Sequence, residues 1–122
     1  MSYSEKYISS TYRFPAAALN SAAALGRIVG PKGKTGRLMG VAAVITTSVT
    51  TDPSGVRIGT GAAHSKYGTL SVPVATAGNA ANDAVINPVD DNLIPADSVV
   101  LVATDGAAAA GAADLLVYID WF

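Results

Sequence analysis

The clearest pattern in the chain is a period of two. Along residues 37–51 the odd positions Met39, Val41, Ala43, Ile45, Thr47 and Val49 read as the core face of a long strand. The even positions begin apolar (Leu38, Ala42, Val44) and finish polar (Thr46, Ser48, Thr50), so one end of this strand is expected to be covered on both faces. Asp52-Pro53-Ser54-Gly55 is a turn signal. Beyond it Val56, Ile58, Thr60 and Ala62 alternate with Gly55, Arg57, Gly59 and Gly61, which predicts a hairpin. Residues 67–76 alternate again, with Leu70, Val72 and Val74 on one face and Pro73 on the other, marking a sheet edge. Residues 85–89 read as a short strand and 98–104 as a continuous apolar one, as in the middle of a sandwich. Residues 105–113 read as a Gly/Ala loop. The last strand, 114–122, sets Leu115, Val117, Ile119 and Trp121 against Asp114, Leu116, Tyr118, Asp120 and Phe122.

The start of the chain is less regular. Residues 1–14 carry Tyr3, Tyr7, Ile8, Tyr12 and Phe14 among serines. That suits an extended N-terminal arm lying on a neighbour, and equally the first strand of the domain's own sheet. In the alanine-rich residues 15–25, Pro15 at a first helical position and Gly26 as terminator fit a short helix. Only Leu19 and Leu25 are large, however, and extended chain fits as well. Strands punctuated by turns about every 8–12 residues predict an all-β antiparallel sandwich of the jelly-roll type. Residues 1–25 are read as the arm and alanine-rich segment, and 26–122 as a single sandwich domain.

Composition narrows the chemistry. The 122 residues hold 23 Ala against 13 Val, 8 Leu and 7 Ile, so the core is expected to be built from small and β-branched side chains. Trp121, Phe14, Phe122 and five tyrosines are the bulky exceptions. Without cysteine there is no disulfide framework and no thiolate metal site. No segment reaches the roughly 18–20 apolar residues that cross a bilayer, and residues 1–6 lack the order of a secretion signal. The expectation is a soluble protein not exported by that route.

Net charge is −1, yet residues 1–66 hold all eight basic residues and two acids, a balance of +6, while residues 67–122 hold seven acids and no base. Arg27, Lys32, Lys34 and Arg37 crowd into eleven positions. The split suits contact between subunits or with a larger partner, and also neutralisation within one fold.

No constellation of catalytic or metal-binding residues stands out. Gly33-Lys34-Thr35 has the tail of a Walker A loop, but the position of that motif's first glycine is Ile28. Glycines 30, 33 and 36 are too few for a collagen repeat. His64, the one histidine, has Ser65 and Ser71 near it in sequence, but neither serine lies in a nucleophile elbow. Asp90-Asp91-Asn92 lacks the spacing of a calcium loop and reads as a solvated turn. The basic loop carries no aromatic residue for stacking, which argues against nucleic acid.

The run Leu93-Ile-Pro-Ala-Asp-Ser-Val-Val-Leu-Val-Ala-Thr104, the Gly/Ala loop after it, and Gly111-Ala-Ala-Asp-Leu-Leu-Val-Tyr118 resemble the small capsid decoration, or cement, proteins of tailed bacteriophages. Residues 26–38 fit the same impression. The resemblance implies a non-enzymatic virion structural protein assembled in the host cytoplasm. Such a protein is commonly a jelly-roll homotrimer on the outer face of the head, bridging subunits of the major capsid protein. No cofactor, nucleic acid or membrane is implied. The residues expected at capsid or subunit contacts are Tyr3, Tyr7, Tyr12 and Phe14 of the arm, with Arg27, Lys32, Lys34 and Arg37 of the loop. The alternative is a receptor- or carbohydrate-binding sandwich of a tail fibre or spike, although loops 52–55, 78–83 and 105–113 show no aromatics.

Overall fold

The computed structural model describes residues 8–87 and 93–122, and every regular element among them is a strand. In chain order these are β1 (Ile8–Ala18), β2 (Ala23–Val29), β3 (Gly36–Thr50), β4 (Ser54–Gly59), β5 (Gly68–Val72), β6 (Ala80–Ala81), β7 (Val85–Ile86), β8 (Val99–Thr104) and β9 (Ala110–Trp121). The antiparallel ladders nest: β1 pairs with β9, β2 with β8, β3 with β6 and β4 with β5. The chain is therefore one long hairpin, and its arms are wound so that β9 also meets β3 and β8 also meets β4. The result is a first sheet in the order β1-β9-β3-β6 facing a second in the order β2-β8-β4-β5-β7. This is the jelly-roll arrangement, with β7 as a short extra edge.

The two sheets bury alternate residues against each other, as the period of two requires. The first sheet contributes Leu38, Val41, Ala43 and Ile45 from β3, and Ala113, Leu115, Val117, Ile119 and Trp121 from β9. The second contributes Ile28, Val56, Ile58, Leu70, Val72, Val100 and Val102, and all of these side chains are buried. Each fully buried branched aliphatic contributes about 1.5–3 kcal/mol of apolar transfer.

Several expectations change. Of the two readings of the start of the chain, residues 8–18 follow the second, as an edge strand of the domain's own first sheet and not an arm on a neighbour, and β2 runs through the boundary drawn at residue 25. The domain therefore includes residues 8–29. Residues 15–25 form no helix: Pro15 and Ala16 fall at a bulge in β1, and of the alanines that follow, Ala17 and Ala18 pair along β9 and Ala23 and Ala24 along β8. Ala17 and Leu19 reach the core. Met39, expected inside, is 50% exposed, because a bulge between Leu38 and Gly40 inverts the alternation there. A second irregularity, between Ile45 and Thr47, turns Thr47 outward and returns Val49 to the core. Val74 lies beyond the end of β5 and is exposed. β9 starts at Ala110, inside the segment read as a loop.

The hairpin expected at residues 52–55 is absent, since β3 and β4 belong to different sheets. The turn is a corner stitched to a distant carboxylate. Asp105 Oδ1 accepts from Ser54 Oγ at 3.1 Å, from the Gly55 amide at 2.9 Å and from the Ala107 amide at 3.0 Å. The Asp105 amide in turn donates to Gly55 O at 2.9 Å. Burial pushes the Asp105 carboxyl up, but those donors together with the Arg57 charge outweigh it and hold it below its ordinary value. A carboxyl lowered on folding stabilises the fold above its unfolded pKa, and that contribution fades as pH falls through the folded one. Replacing Asp105 by Asn should lower the urea midpoint most near pH 7, with the gap to wild type closing as pH falls below the ordinary carboxylate range and through the lowered folded one. A gap unchanged with pH would contradict this role.

At the other end of β9, Trp121 sets a steric requirement. A Cβ built on Gly30 or on Gly36 would lie 2.5 Å from its ring. Gly36→Ala should therefore cost about 1–3 kcal/mol and lower the melting temperature by roughly 4–12 °C. Calorimetry reads this directly.

Candidate functional site

The basic loop between β2 and β3 is clamped at each step. The Gly33 amide donates to Asp97 Oδ1 at 3.0 Å, and the Lys34 amide to Pro31 O at 3.1 Å. Thr35 and Phe122 exchange two backbone hydrogen bonds of 2.9 and 2.8 Å, and Gly36 and Ile94 exchange two of 2.8 and 2.9 Å. Glycine at 33 suits its left-handed φ of 75°, and the Trp121 ring lies beneath Gly30 and Gly36. A loop with this many anchors presents its lysines in a fixed frame.

Beside it the Arg37 guanidinium carbon sits 5.5 Å from the centroid of the Phe122 ring, a cation–π arrangement. Phe122 is 39% and Met39 50% exposed. Lys32, Lys34, Arg37, Phe122 and Met39 thus form one basic, partly apolar end of the sandwich. Past Met39, the outer face of the first sheet carries exposed Val44 and half-buried Ala42, Leu116 and Tyr118. The expected cover over both faces of this strand is not supplied by the described residues.

The remaining expected contact residues disperse. Arg27 lies opposite Leu101 on the outer face of the second sheet, away from Arg37 on the first. Tyr12 and Phe14 pack on the domain's own core. Tyr12 Oη accepts from Trp121 Nε1 at 3.0 Å, and a Cβ on Gly26 would lie 2.6 Å from the Phe14 ring. Tyr3 and Tyr7, like Asp90 and Asp91, lie outside the described residues. Opposite-charge contacts between the two halves of the sequence do occur within the fold, as the even alternative had it. Arg13 pairs with Asp114 at 2.9 Å, and Asp114 also accepts from the Ala16 amide at the β1 bulge, where Ala16 has φ 49°. These donors hold the Asp114 carboxyl below its ordinary value. Among the described residues no three His, Asp or Glu side chains group as a metal site.

A second feature has no signature along the chain. His64 and Arg57 border a cavity on the outer face of the second sheet. Only their alternation with buried Val56 and Ile58 placed Arg57 on that face, and nothing marked the loop of His64 as folding back over it.

No protein-family model, curated protein or solved structure matches this chain. Its function is therefore argued from its own surface.

Asp97 holds the loop through one side-chain bond while its backbone adopts a φ of 60°. Asp97→Gly keeps that conformation accessible and removes the acceptor. Hydrogen exchange at the Gly33 amide should accelerate while the Thr35 and Gly36 amides stay protected. Equal acceleration at all three would show that the clamp is not divided in this way.

Proposed function

We propose that this chain is a non-enzymatic virion structural protein that seats on the outer face of a phage capsid as a homotrimer and stabilises the head by bridging capsomers. The observation that carries the reading is the clamped basic end, where Lys32 and Lys34 stand beside Arg37, Phe122 and Met39. A rigid surface combining cations with exposed apolar groups suits docking on a large acidic protein assembly: the apolar part supplies burial and the cations supply orientation and rate. The jelly roll and the resemblance of residues 26–38, 93–104 and 111–118 to capsid decoration proteins point the same way. The outer face of the first sheet, with Val44, Leu116 and Tyr118, is the surface that would be covered between subunits of the trimer.

The structure also fixes how this reading should be tested. Deleting residues up to 14 would remove most of β1 together with Tyr12 and Phe14 from the core, so loss of binding would say nothing about contact. Charge reversal is cleaner. In co-sedimentation with undecorated capsids, Lys32→Glu with Lys34→Glu should weaken binding by roughly tenfold or more, with circular dichroism checking that the double variant keeps its strand content. Arg27→Glu, on the other sheet, should bind as wild type does. Wild-type binding by the double variant would overturn the assignment of the contact.

A further inference from the structure

The outer face of a sheet in a small sandwich ordinarily meets solvent, but here part of it is roofed. Leu101 and Ala103 lie on the outward side of β8, opposite Arg27 and Ala24, yet are only 9% and 4% exposed. Two close backbone approaches build the walls around them. At Gly59, a Cβ would lie 2.2 Å from Ala63 O and 2.4 Å from His64 O, so the loop of residues 60–66 rests directly on the sheet. At Gly106, with φ 68°, a Cβ would lie 2.2 Å from the Ala22 nitrogen, which brings residues 21–22 in from the other side. Between them lies a cavity of about 210 Å³, open on one side, lined by Ala22, Ala23, Arg57, His64, Leu101 and Ala103 among others.

Its walls are apolar except at one place. Thr104 Oγ1 is engaged with Ser21 O at 3.0 Å, which leaves Arg57 and His64 as the polar groups available to a ligand. Arg57 is under-used for a side chain with five N–H donors. Among the described residues it makes one long hydrogen bond, Nη2 to Thr104 O at 3.4 Å, and its buried Nε has no partner. Asp105 is close enough to feel the Arg57 charge, but no hydrogen bond or ion pair joins the two side chains, and the Asp105 Oδ1 is shared among Ser54, Gly55 and Ala107. A guanidinium with spare donors beside an imidazole, above a floor of Leu101 and Ala103, matches a planar anion carrying a small apolar body.

We propose that this cavity binds a small monocarboxylate, its carboxylate paired with Arg57 beside His64 and its apolar body lying on Leu101 and Ala103. Size supports that class. A cavity of about 150 Å³ already holds benzene, while drug-sized ligands need about 300 Å³ or more. A ring or a short aliphatic chain is therefore the fitting scale. The site shares no residue with the basic end of the sandwich, so this inference stands or falls independently of the capsid reading.

The test is a titration of the full-length protein, followed by amide chemical shifts, with benzoate, butyrate, benzamide and inorganic phosphate as probes. A saturable response to benzoate or butyrate is expected, with Kd at or below about 1 mM. Shifts should be confined to residues 22–24, 57, 64 and 101–104. Benzamide and phosphate should bind at least about tenfold more weakly, because one lacks the charge and the other the apolar body. Arg57→Gln should remove the response and His64→Gln should weaken it. The proposal is overturned by no saturable response to either carboxylate, by benzamide or phosphate binding as well as benzoate, or by a folded Arg57→Gln variant that still binds. Should that variant not fold, the comparison of benzoate with benzamide on the wild type decides.

Discussion

Trp121 stands where widely separated segments of the chain meet, and the geometry at this end of the sandwich follows from its ring. Its indole N–H donates to Tyr12 Oη on β1, its ring fills the space under Gly30 and Gly36, and its Cα lies opposite Ile8 on one side and Gly36 on the other. The next residue, Phe122, exchanges backbone hydrogen bonds with Thr35. The last strand thus fixes the conformation of a loop some ninety positions earlier in the sequence. A smaller side chain at 121 would leave a void beneath two glycines, and a larger one at 30 or 36 would collide with it. The basic loop is rigid because an indole packs under it.

The nested pairing explains how the charges end up where they do. Each time the chain crosses between sheets, its cations pass to a different outer face. Arg37 therefore goes to the first sheet, while Arg27 and Arg57 go to the second. A cluster that looks single in the sequence becomes a clamped end with Lys32, Lys34 and Arg37, and a separate Arg27. Of the acids in the second half of the chain, Asp97, Asp105 and Asp114 serve structure. Each accepts a backbone amide from a segment of the basic half: the loop, the corner or the bulge. Much of the +6/−7 split is thereby spent inside the fold, while Lys32 at the basic end stays exposed.

What was legible in the sequence was the strand period. Leu115, Val117, Ile119 and Trp121, and likewise Val56, Ile58, Leu70 and Val72, alternate cleanly and are buried as that alternation requires. What was not legible arises from single-residue departures and from long-range stitching. The bulge at Met39 looks like any other alternating position until β9 fixes its register. The corner at 52–55 reads as a hairpin because the deciding partner, Asp105, is fifty positions away. Residues 15–25 carry too few large side chains for periodicity to distinguish strand from helix, and the ladders with β8 and β9 decide it. The cavity at Arg57 was hidden for a related reason, because its walls depend on close approaches at Gly59 and Gly106 that have no local signature.

The central claim, that this sandwich is a building piece of a virion surface, is tested most directly by counting it. Quantitative mass spectrometry of purified virions should find this chain at a copy number comparable to that of the major capsid protein, since a protein that bridges capsomers is repeated over the whole shell. Its absence from virions, or its presence at only a few copies per particle, would contradict the account.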